Sequence, residues 1–368
     1  MSNGLTIAVP KETTEGEQRV ALVPETAGRL VKQGLSVRVE AGAGTAAHFT
    51  DDAYRSAGCT VVPTASEALA GAGVIVRVQV PSPAEAAALP SGALLICQLQ
   101  PNRDAAQLAA LDARGVHVMS MTLVPRITRA QSMDVLSSQA TVAGYKAVLI
   151  GAAQMGRFLP MLVTAAGTLP PATTFVLGAG VAGLQAIATA RRLGSNVRAF
   201  DIRPEVKEQI ESLGATFVAA EVVAKDATAA GGYAREATAD ERARQAEAIA
   251  KHVAESDLVV ATAAVPGKPA PRLITTAMVE KMKTGAVIVD LAAESGGNCE
   301  VTRPGETIQH HGVTVMGPVN LPARMPTHAS QMYSKNIQAV LGLIVKDGAL
   351  ALNREDEIVK AMLVSQAV

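Results

Sequence analysis

A glycine-rich turn is the feature of this sequence whose spacing points most directly to chemistry. It follows the apolar run Thr174–Leu177 and opens a helical run, Val181–Leu193. In such a strand–turn–helix unit, the first glycine permits a tight turn, the second lets a pyrophosphate approach the backbone, and the third brings the helix close to the strand. The helix N-terminus offers free N–H groups to the phosphates. The turn therefore predicts a dinucleotide site at Gly178, Gly180, Val181, Ala182 and Gly183.

An acidic residue is placed to complete this site. Asp201 follows the strand Asn196–Phe200 and lies roughly 20 residues after the turn, where a carboxylate binds the adenosine ribose hydroxyls of a dinucleotide. Its charge would repel a 2′-phosphate, which favours NAD(H) over NADP(H). Arg203 could instead receive a phosphate, but Asp201 comes first at the strand tip. The alternative is a glycine turn in an α/β domain without a ligand, and the complete context favours the nucleotide.

Length and composition restrict the class of protein. The 368 residues are too many for one ordinary core and fit two domains, and 49% of them are hydrophobic. Aromatic residues make up only 2%, with no Trp, so the core must consist of small aliphatic side chains, which suit helices packed on a parallel sheet. The net charge is zero, so nucleic acid is not expected as a partner. No apolar run reaches the ~18 residues of a membrane span, so no direct membrane insertion is expected.

Cysteines and histidines offer little further chemistry. The three cysteines match no metal or redox spacing and are expected to be reduced and buried. No HExxH or Cys/His cluster occurs, so no metal site is predicted. The pair His310-His311 stands before Gly312 and is predicted to form an exposed turn.

Strands alternate with helices along most of the chain, which indicates parallel sheets. We predict an α/β fold of two Rossmann-like, doubly wound parallel-sheet domains with a cleft between them. The N-terminal domain is expected to comprise residues 1–133 with 328–368, and the NAD(H)-binding domain residues 134–327. The predicted strands are Thr6–Val9, Ser36–Val39, Thr60–Val62, Val74–Val80, Leu94–Leu99 and Val116–Ser120, then Thr174–Leu177, Asn196–Phe200, Thr216–Val218, Leu258–Thr262, Ala286–Leu291 and Val313–Met316.

Four segments depart from the alternation. Pro125–Gln139 is polar, and an Ala-rich helix from about 134 to 159 is expected to follow it and to cross between the domains. Thr164–Pro171 is rich in Gly, Thr and Pro, and a second α/β series starts after it. Glu221–Asp240 is predicted to be a mobile flap, with a surface excursion of no role as the alternative. A C-terminal helix from about 328 to 346 is expected to return to the first domain.

The polar segment Pro125–Gln139 resembles the nicotinamide-side loop of the proton-translocating NAD(P) transhydrogenases. Thr164–Thr168, Gly231–Ala234, Pro266–Pro271 and Glu294–Cys299 are similar to other signatures of that family. The resemblance covers nearly the whole chain. It indicates the NAD(H)-binding component. In some members of the family the α subunit is divided, and this chain resembles the separate first portion.

The resemblance implies residue roles that spacing alone does not give. The nicotinamide and its ribose would be held by four residues, Arg126, Gln131, Asp134 and Ser137, and Gln131 would also help to seat the partner nucleotide. The remaining cofactor contacts would come from Gly180 to Ala182 at the pyrophosphate, Asp201 and Arg203 at the adenosine ribose, and Gly232, Tyr233, Gln245 and Ala264 around the site, with Tyr233 on the closing flap. Direct hydride transfer needs positioning and no acid or base at the donor carbon, and amide and guanidinium donors suit that task. The alternative interpretation of Arg126–Gln139 is a polar interdomain linker.

The resemblance also implies an assembly. NADP(H) would lie on a partner subunit, and a membrane-spanning second portion of the α subunit and a β subunit would couple hydride transfer to proton movement. The chain would be a homodimer, peripheral on the cytoplasmic face of the inner membrane.

Alanine dehydrogenase is the rival interpretation, because it shares the fold and the motifs at Pro10–Glu12 and Glu17–Leu22. An amino-acid dehydrogenase needs a lysine that engages the substrate and a histidine that acts as acid and base. Gln79 stands at the lysine position, and Gln98 and Gln100 stand where the histidine is expected. The family's Asp-Gln-Gly-Gly turn becomes Glu-Ser-Gly-Gly at residues 294–297. These departures disfavour that enzyme, and Arg19, its carboxylate ligand, is expected here to form a structural ion pair. A non-enzymatic NAD-binding regulator is the third hypothesis.

Overall fold

A computed structural model describes residues 4–218, 239–264 and 268–365 of the chain. It divides into two compact units: the first comprises Met1–Gln139 and Pro322–Val368, and the second comprises Ala140–Leu321. Both units contain a doubly wound sheet of mainly parallel strands, so the predicted α/β class is confirmed. The predicted domain boundaries, at 133/134 and 327/328, stay predictions.

The sheet of the first unit has six parallel strands in the order β3-β2-β1-β4-β5-β6. Its central strands are runs of Val, Ile and Leu that are buried on both faces, as expected for a sheet covered by helices on both sides. The strands are β1 (Thr6–Val9), β2 (Ser36–Glu40), β3 (Thr60–Val62), β4 (Val74–Val76), β5 (Leu94–Cys97) and β6 (His117–Ser120). The helices between them are α1 (Pro24–Lys32), α2 (Asp51–Ser56), α3 (Ala65–Leu69), α4 (Pro83–Ala88) and α5 (Ala105–Ala113).

The helix α6 (Val135–Gln154) follows, and it ends five residues before the predicted Leu159. Two short antiparallel strands come next, β7 (Leu162–Thr164) and β8 (Gly167–Leu169), where the sequence predicted only an irregular stretch. This β7–β8 hairpin is exposed along most of its length.

The sheet of the second unit has seven strands in the order β11-β10-β9-β12-β13-β15-β14, and only β14 runs antiparallel. The strands are β9 (Thr173–Leu177), β10 (Asn196–Phe200), β11 (Thr216–Val218), β12 (Leu258–Ala261), β13 (Val287–Asp290), β14 (Thr307–His310) and β15 (Val313–Met316). The helices are α7 (Val181–Arg192), α8 (Lys207–Ser212), α9 (Ala239–Glu255) and α10 (Thr276–Glu280). Strand β14 was missed, so the prediction of an exposed turn was wrong for His310, which ends β14 and is half-buried.

The chain then re-enters the first unit. Helix α11 (Pro326–Ile344) buries Tyr333, Ile337 and Val340 in its core. A short hairpin of β16 (Val345–Lys346) and β17 (Ala349–Leu350) and the helix α12 (Glu357–Met362) complete the described chain. The predicted return of the C-terminal helix to the first domain is confirmed, two residues earlier than expected at each end.

The cysteines behave as the sequence predicted. Cys59, Cys97 and Cys299 are free and buried. Burial raises the pKa of the Cys59 and Cys299 thiols to about 11 and that of Cys97 further. Among the helices within the described ranges, none is both long and apolar enough to cross a membrane.

Candidate functional site

The glycine-rich turn joins β9 to α7, and two of its glycines are required by close packing. Gly178 has φ of 92°, which disfavours any other residue, and a Cβ there would lie 2.9 Å from Thr262 Oγ1. A Cβ at Gly183 would lie 1.9 Å from the Gly178 carbonyl oxygen, so only glycine lets α7 lie this close to the strand. A Cβ at Gly180 would meet nothing within 4 Å. The turn therefore leaves open space at Gly180, where a pyrophosphate would approach.

The start of α7 is shaped to receive an anion. Gly180 is its N-cap, and no side chain makes a capping hydrogen bond there. Gly180 and Val181 are exposed, while Ala182 is half-buried. The first N–H groups of the helix are thus available to a ligand, which fits phosphate oxygens. Helix α6 approaches this end of α7 closely at Gly144. A Cβ at that position would lie 2.1 Å from the Ala182 carbonyl oxygen, so only glycine allows the approach.

The carboxylate of Asp201 lies at the tip of β10 and is only 6% exposed. It accepts a hydrogen bond of 2.7 Å from the Ala179 N–H in the glycine turn. Arg203 fills its other positions, donating from its backbone N–H and Nε at 2.9 Å and from Nη2 at 2.8 Å. Asp201 therefore fixes the turn to β10, and ribose hydroxyls would have to replace bonds that Arg203 now makes.

A second loop borders the turn and depends on two residues, Asn298 and Asp290, to which the sequence analysis assigned no role. Asn298 is fully buried, and its Nδ2 donates to the carbonyl oxygens of Ala263 and Pro271 at 2.7 and 2.8 Å. Its Oδ1 accepts from the Ala263 N–H at 3.0 Å. Asp290 accepts from the Cys299 N–H at 3.0 Å and from Thr302 Oγ1 at 2.8 Å, and burial raises its pKa. These two residues shape the segment that carries Ala264.

The remaining predicted residues of the second unit are partly covered. Gln245 lies in α9 and is 8% exposed, whereas Ala264 is exposed after β12. Gly232 and Tyr233, with the predicted flap, lie outside the described residues.

The polar segment of the first unit forms a 3₁₀ helix, Thr128–Met133, before α6. Its Ala130 and Met133 are buried in the core, and Gln131 is exposed, as is Arg126 just before the helix. The predicted nicotinamide residues thus stand on a surface that is anchored from beneath.

Two of the predicted residues bond to each other. Asp134 precedes α6 and accepts from the Ser137 N–H at 2.9 Å and from Ser137 Oγ at 2.5 Å. This pair caps the start of the helix, which accounts for both residues without a ligand. The same hydroxyl and carboxylate fix the orientation of the segment that carries Gln131.

Distant residues also hold this segment, and spacing could not have revealed them. Asn336 in α11 donates from Nδ2 to the Ser132 carbonyl oxygen at 2.8 Å and accepts from Ser138 Oγ at 2.7 Å. Arg129 donates to both carboxylate oxygens of Asp356 at 2.6 and 3.0 Å. Because these bonds join positions some 200 residues apart, only the folded chain brings them together.

The positions that alanine dehydrogenase would use for its substrate form a buried charge cluster. Glu17 and Arg19 make an ion pair of 2.6 Å with side chains 0% and 2% exposed, which confirms the expected structural pair. Gln79 Nε2 donates to Glu17 at 2.7 Å. Glu12 lies nearby, accepts from the Val78 N–H at 2.6 Å and pairs with Arg77 at 3.4 Å. Burial raises the pKa of Glu12 to about 7 although Arg77 opposes the shift.

Comparison with protein families places this arrangement in a class. The family described as alanine dehydrogenase/PNT, N-terminal domain, matches residues 8–143, and its C-terminal domain matches residues 147–367. The chain belongs to the alanine dehydrogenase/PNT family.

Within that family, its full-length similarity is to NAD(P) transhydrogenase α subunits. The first part of the NAD(P) transhydrogenase α subunit of Rhodospirillum rubrum is 48% identical to this chain. The alignment covers 98% of this chain and 96% of that protein. The structure of transhydrogenase from Sinorhizobium meliloti superimposes with a TM-score of 0.90 at 45% identity over 98% of each chain. Alanine dehydrogenase of Mycobacterium tuberculosis is a more distant relative, 31% identical over 87% of this chain and 82% of its own. The predicted resemblance is confirmed, and alanine dehydrogenase is a distant relative.

Proposed function

We propose that this chain is the NAD(H)-binding subunit of a proton-translocating transhydrogenase and that it exchanges hydride with NADP(H) held by a partner subunit. The full-length similarity to the Rhodospirillum subunit carries the proposal. Membership of the family supports a pyridine nucleotide as ligand. The chain belongs beside a membrane-spanning second portion of the α subunit and a β subunit, on the cytoplasmic face of the inner membrane.

The second unit would hold the adenosine and pyrophosphate ends of NAD(H). The open N-terminus of α7 and the bare backbone at Gly180 fit two phosphates. Asp201 would take the ribose hydroxyls, and its charge would exclude a 2′-phosphate. Gly232, Tyr233, Gln245 and Ala264 remain proposed contacts on the basis of the resemblance.

The nicotinamide end would be held by Arg126, Gln131, Asp134 and Ser137. Bound NADH supplies a hydride, which carries both electrons from C4 of its ring to C4 of the oxidised nicotinamide of NADP⁺. No proton is exchanged in that step, so these residues only orient the ring and its ribose. The anchoring by Asn336 and Asp356 supports this role, since a fixed segment loses little entropy on binding.

The amino-acid dehydrogenase alternative lacks its reacting groups. Gln79 is neutral and already bonded to Glu17, and Gln98 and Gln100 stand where the histidine is expected. Arg19 is occupied by Glu17 and by Gln139 Oε1 at 2.8 Å. The residues that would bind an amino acid are thus bonded to other side chains of this chain.

The decisive experiment compares the purified chain with and without a partner. NADH binding is followed through the fluorescence of the reduced nicotinamide, which is excited at wavelengths that protein side chains do not absorb. The chain alone should bind NADH and should not reduce NAD⁺ with L-alanine. Adding an NADP(H)-binding subunit should start hydride transfer from NADH to an NADP⁺ analogue. Alanine-dependent reduction of NAD⁺ would refute the proposal, as would failure of the reconstituted pair to transfer hydride.

The family resemblance also supports a homodimer, and the second unit offers a surface for it. Phe158, Met161 and Val163 are 56%, 59% and 76% exposed, and Leu169 on the paired strand is 46% exposed. Val163 pairs with Thr168, so Val163 and Leu169 lie on opposite faces of the hairpin, and exposed apolar surface of this kind is typical of a protein interface. Light scattering should give a dimer for the native chain and a monomer for Val163→Asp, with Leu123→Asp in the first unit as the control. A native monomer, or a Val163→Asp dimer, would contradict this assignment.

A further inference from the structure

A histidine pair and a glutamate come together at the edge of the second sheet. His310 ends β14, His311 begins the turn to β15, and Glu280 ends α10. One potential ligand atom from each residue lies within 4.8 Å of the others. Both His310 Nε2, at 3.5 Å, and His311 Nε2, at 3.6 Å, face the same carboxylate oxygen, Glu280 Oε1. Sequence spacing missed this group because Glu280 approaches only in the folded chain.

The turn geometry is what makes the two imidazoles converge. Consecutive residues of a strand place their side chains on opposite faces of the sheet. Here His310 pairs with Val313, so His311 and Gly312 form a two-residue turn with φ of 48° and 79°. Left-handed backbone is uncommon for residues other than glycine, and Asn, Asp and His adopt it more readily than most. It brings the ring centroids of His310 and His311 to 4.9 Å.

The ring nitrogens that face Glu280 are available. His310 Nε2 is buried from solvent and has no hydrogen-bond partner among the described residues. A buried polar atom without a partner is uncommon, and an ion between it and the carboxylate would satisfy it. The side chains of His311 and Glu280 are 60% and 41% exposed, so an ion can enter from solution.

We propose that Glu280, His310 and His311 bind a divalent transition-metal ion of the zinc class. Zinc bonds of about 2.0–2.1 Å to nitrogen and oxygen in a tetrahedron place neighbouring ligand atoms about 3.3 Å apart. The two separations from Glu280 Oε1, 3.5 and 3.6 Å, need only a small contraction to reach that value, and ligand atoms of the two imidazoles lie within 4.8 Å of each other. Two imidazoles and one carboxylate suit Zn²⁺, Ni²⁺ or Cu²⁺ better than Mg²⁺ or Ca²⁺. Water would complete the coordination, and the ion would join the β14–β15 turn to α10.

The test measures Zn²⁺ binding to the full chain without an affinity tag, by calorimetric titration with zinc chloride. One Zn²⁺ per chain should bind, and His311→Asn and Glu280→Gln should each weaken binding by at least about tenfold. Asn tolerates the left-handed turn, so His311→Asn should fold normally. His48→Asn is the matched control, because His48 is also an exposed histidine with positive φ, at 66°, and is no part of this group.

A second readout identifies the ligands. Co²⁺ in place of Zn²⁺ should give a visible absorption band typical of tetrahedral nitrogen and oxygen coordination, and the band should be lost in His311→Asn but kept in His48→Asn. If the native chain shows no saturable Zn²⁺ binding, the group is an ion pair only and the proposal fails. Binding that survives both substitutions unchanged would also overturn it. NADH binding plays no part in either measurement, so this result is independent of the proposed function.

Discussion

The two sheets share one strand order over six strands, yet the segments that follow their first strands differ completely. In the second unit, β9 leads into the bare turn at Gly178–Gly183, which leaves a helix N-terminus open. In the first unit, β1 leads into a charged segment, and Glu12 accepts hydrogen bonds from the backbone after β4. Ligands of doubly wound sheets bind where the strand order reverses. One unit thus leaves that place open, where we propose that the nucleotide binds, and the other fills it with its own side chains.

This comparison teaches that topology alone does not give a binding site. Arg77, Glu12 and Glu17 are buried at the carboxyl ends of the first sheet, each bonded to a neighbour. Removing one partner of such a buried pair leaves an uncompensated charge, so the cluster resists change. The glycines of the second unit have no side chains to bond, and that is what leaves room for phosphates.

The largest expected effect distinguishes Gly183, which is required by close packing, from Gly180, which leaves space for a ligand. Gly183→Ala places a Cβ 1.9 Å from the Gly178 carbonyl oxygen, so α7 must shift. We expect it to lower the free energy of unfolding by about 1–3 kcal/mol and to abolish detectable NADH binding. Gly180→Ala meets no protein atom, so it should change stability by less than about 0.5 kcal/mol while weakening NADH binding at least about tenfold. Urea unfolding and NADH titration measure both, and equal destabilisation by the two variants would contradict this division.

The next effect compares Asp201, in the open site of the second unit, with Glu12, in the filled site of the first unit. Asp201→Ala removes the hydrogen bonds to the turn and the proposed ribose ligand, and should raise the Kd for NADH by about 10- to 100-fold, since bonds to charged groups contribute about 1.5–3 kcal/mol. Glu12→Gln, in the first unit, should leave that Kd unchanged. An unaltered Kd in Asp201→Ala would show that the carboxylate only supports the fold.

A smaller effect tests the polar segment of the first unit. Gln131→Asn shortens an exposed amide by one methylene, so it should keep the Kd for NADH within about twofold while slowing hydride transfer about tenfold in the reconstituted pair. Thr128→Ser, at another exposed position of the same 3₁₀ helix, should change neither value. Equal losses of binding and rate in Gln131→Asn would argue against a positioning role.

The smallest effect is a pH dependence in the filled site. The pKa of Glu12 rises from 4.5 to about 7 in the folded chain, so the folded chain holds an extra proton between those values. Its contribution to stability is therefore full below about pH 4.5 and is lost as the pH rises through about 7. Glu12→Gln removes this titration, so the native chain should lose stability relative to the variant between about pH 5 and pH 8. Urea unfolding across that range measures it, and parallel pH profiles would refute the shift.

The sequence predicted the regions of this molecule that depend on local pattern. Buried runs of Val, Ile and Leu predicted most strands of both sheets, and Thr6–Val9 and Asn196–Phe200 agree at both ends. The glycine turn was predicted because each glycine answers a local steric demand. Weakly apolar edge strand β14 was missed, since its residues Thr307–His310 show no buried pattern of their own.

What the sequence could not predict depends on contacts between distant residues. Asn336 and Asp356 hold the polar segment from far along the chain, and a hydrogen bond of this kind leaves no periodic signal. Asn298 belonged to a motif that resemblance singled out, but its task of bridging Ala263 and Pro271 required the fold. The resemblance placed Arg203 by the adenosine ribose, and only the fold revealed that it also completes the hydrogen bonds of Asp201.

The buried thiols have a practical consequence for studying this protein. With the pKa of Cys59 and Cys299 near 11, their thiolate fraction at pH 8 is on the order of one in a thousand, and that of Cys97, whose pKa burial also raises, is lower still. Burial adds a steric barrier, so maleimides and spin labels should leave the native chain unmodified. A single cysteine introduced at Val163 or Gln131 would then be the only reactive thiol on the surface. Such labels could report distances between subunits, or motion of the polar segment, without first removing any native cysteine.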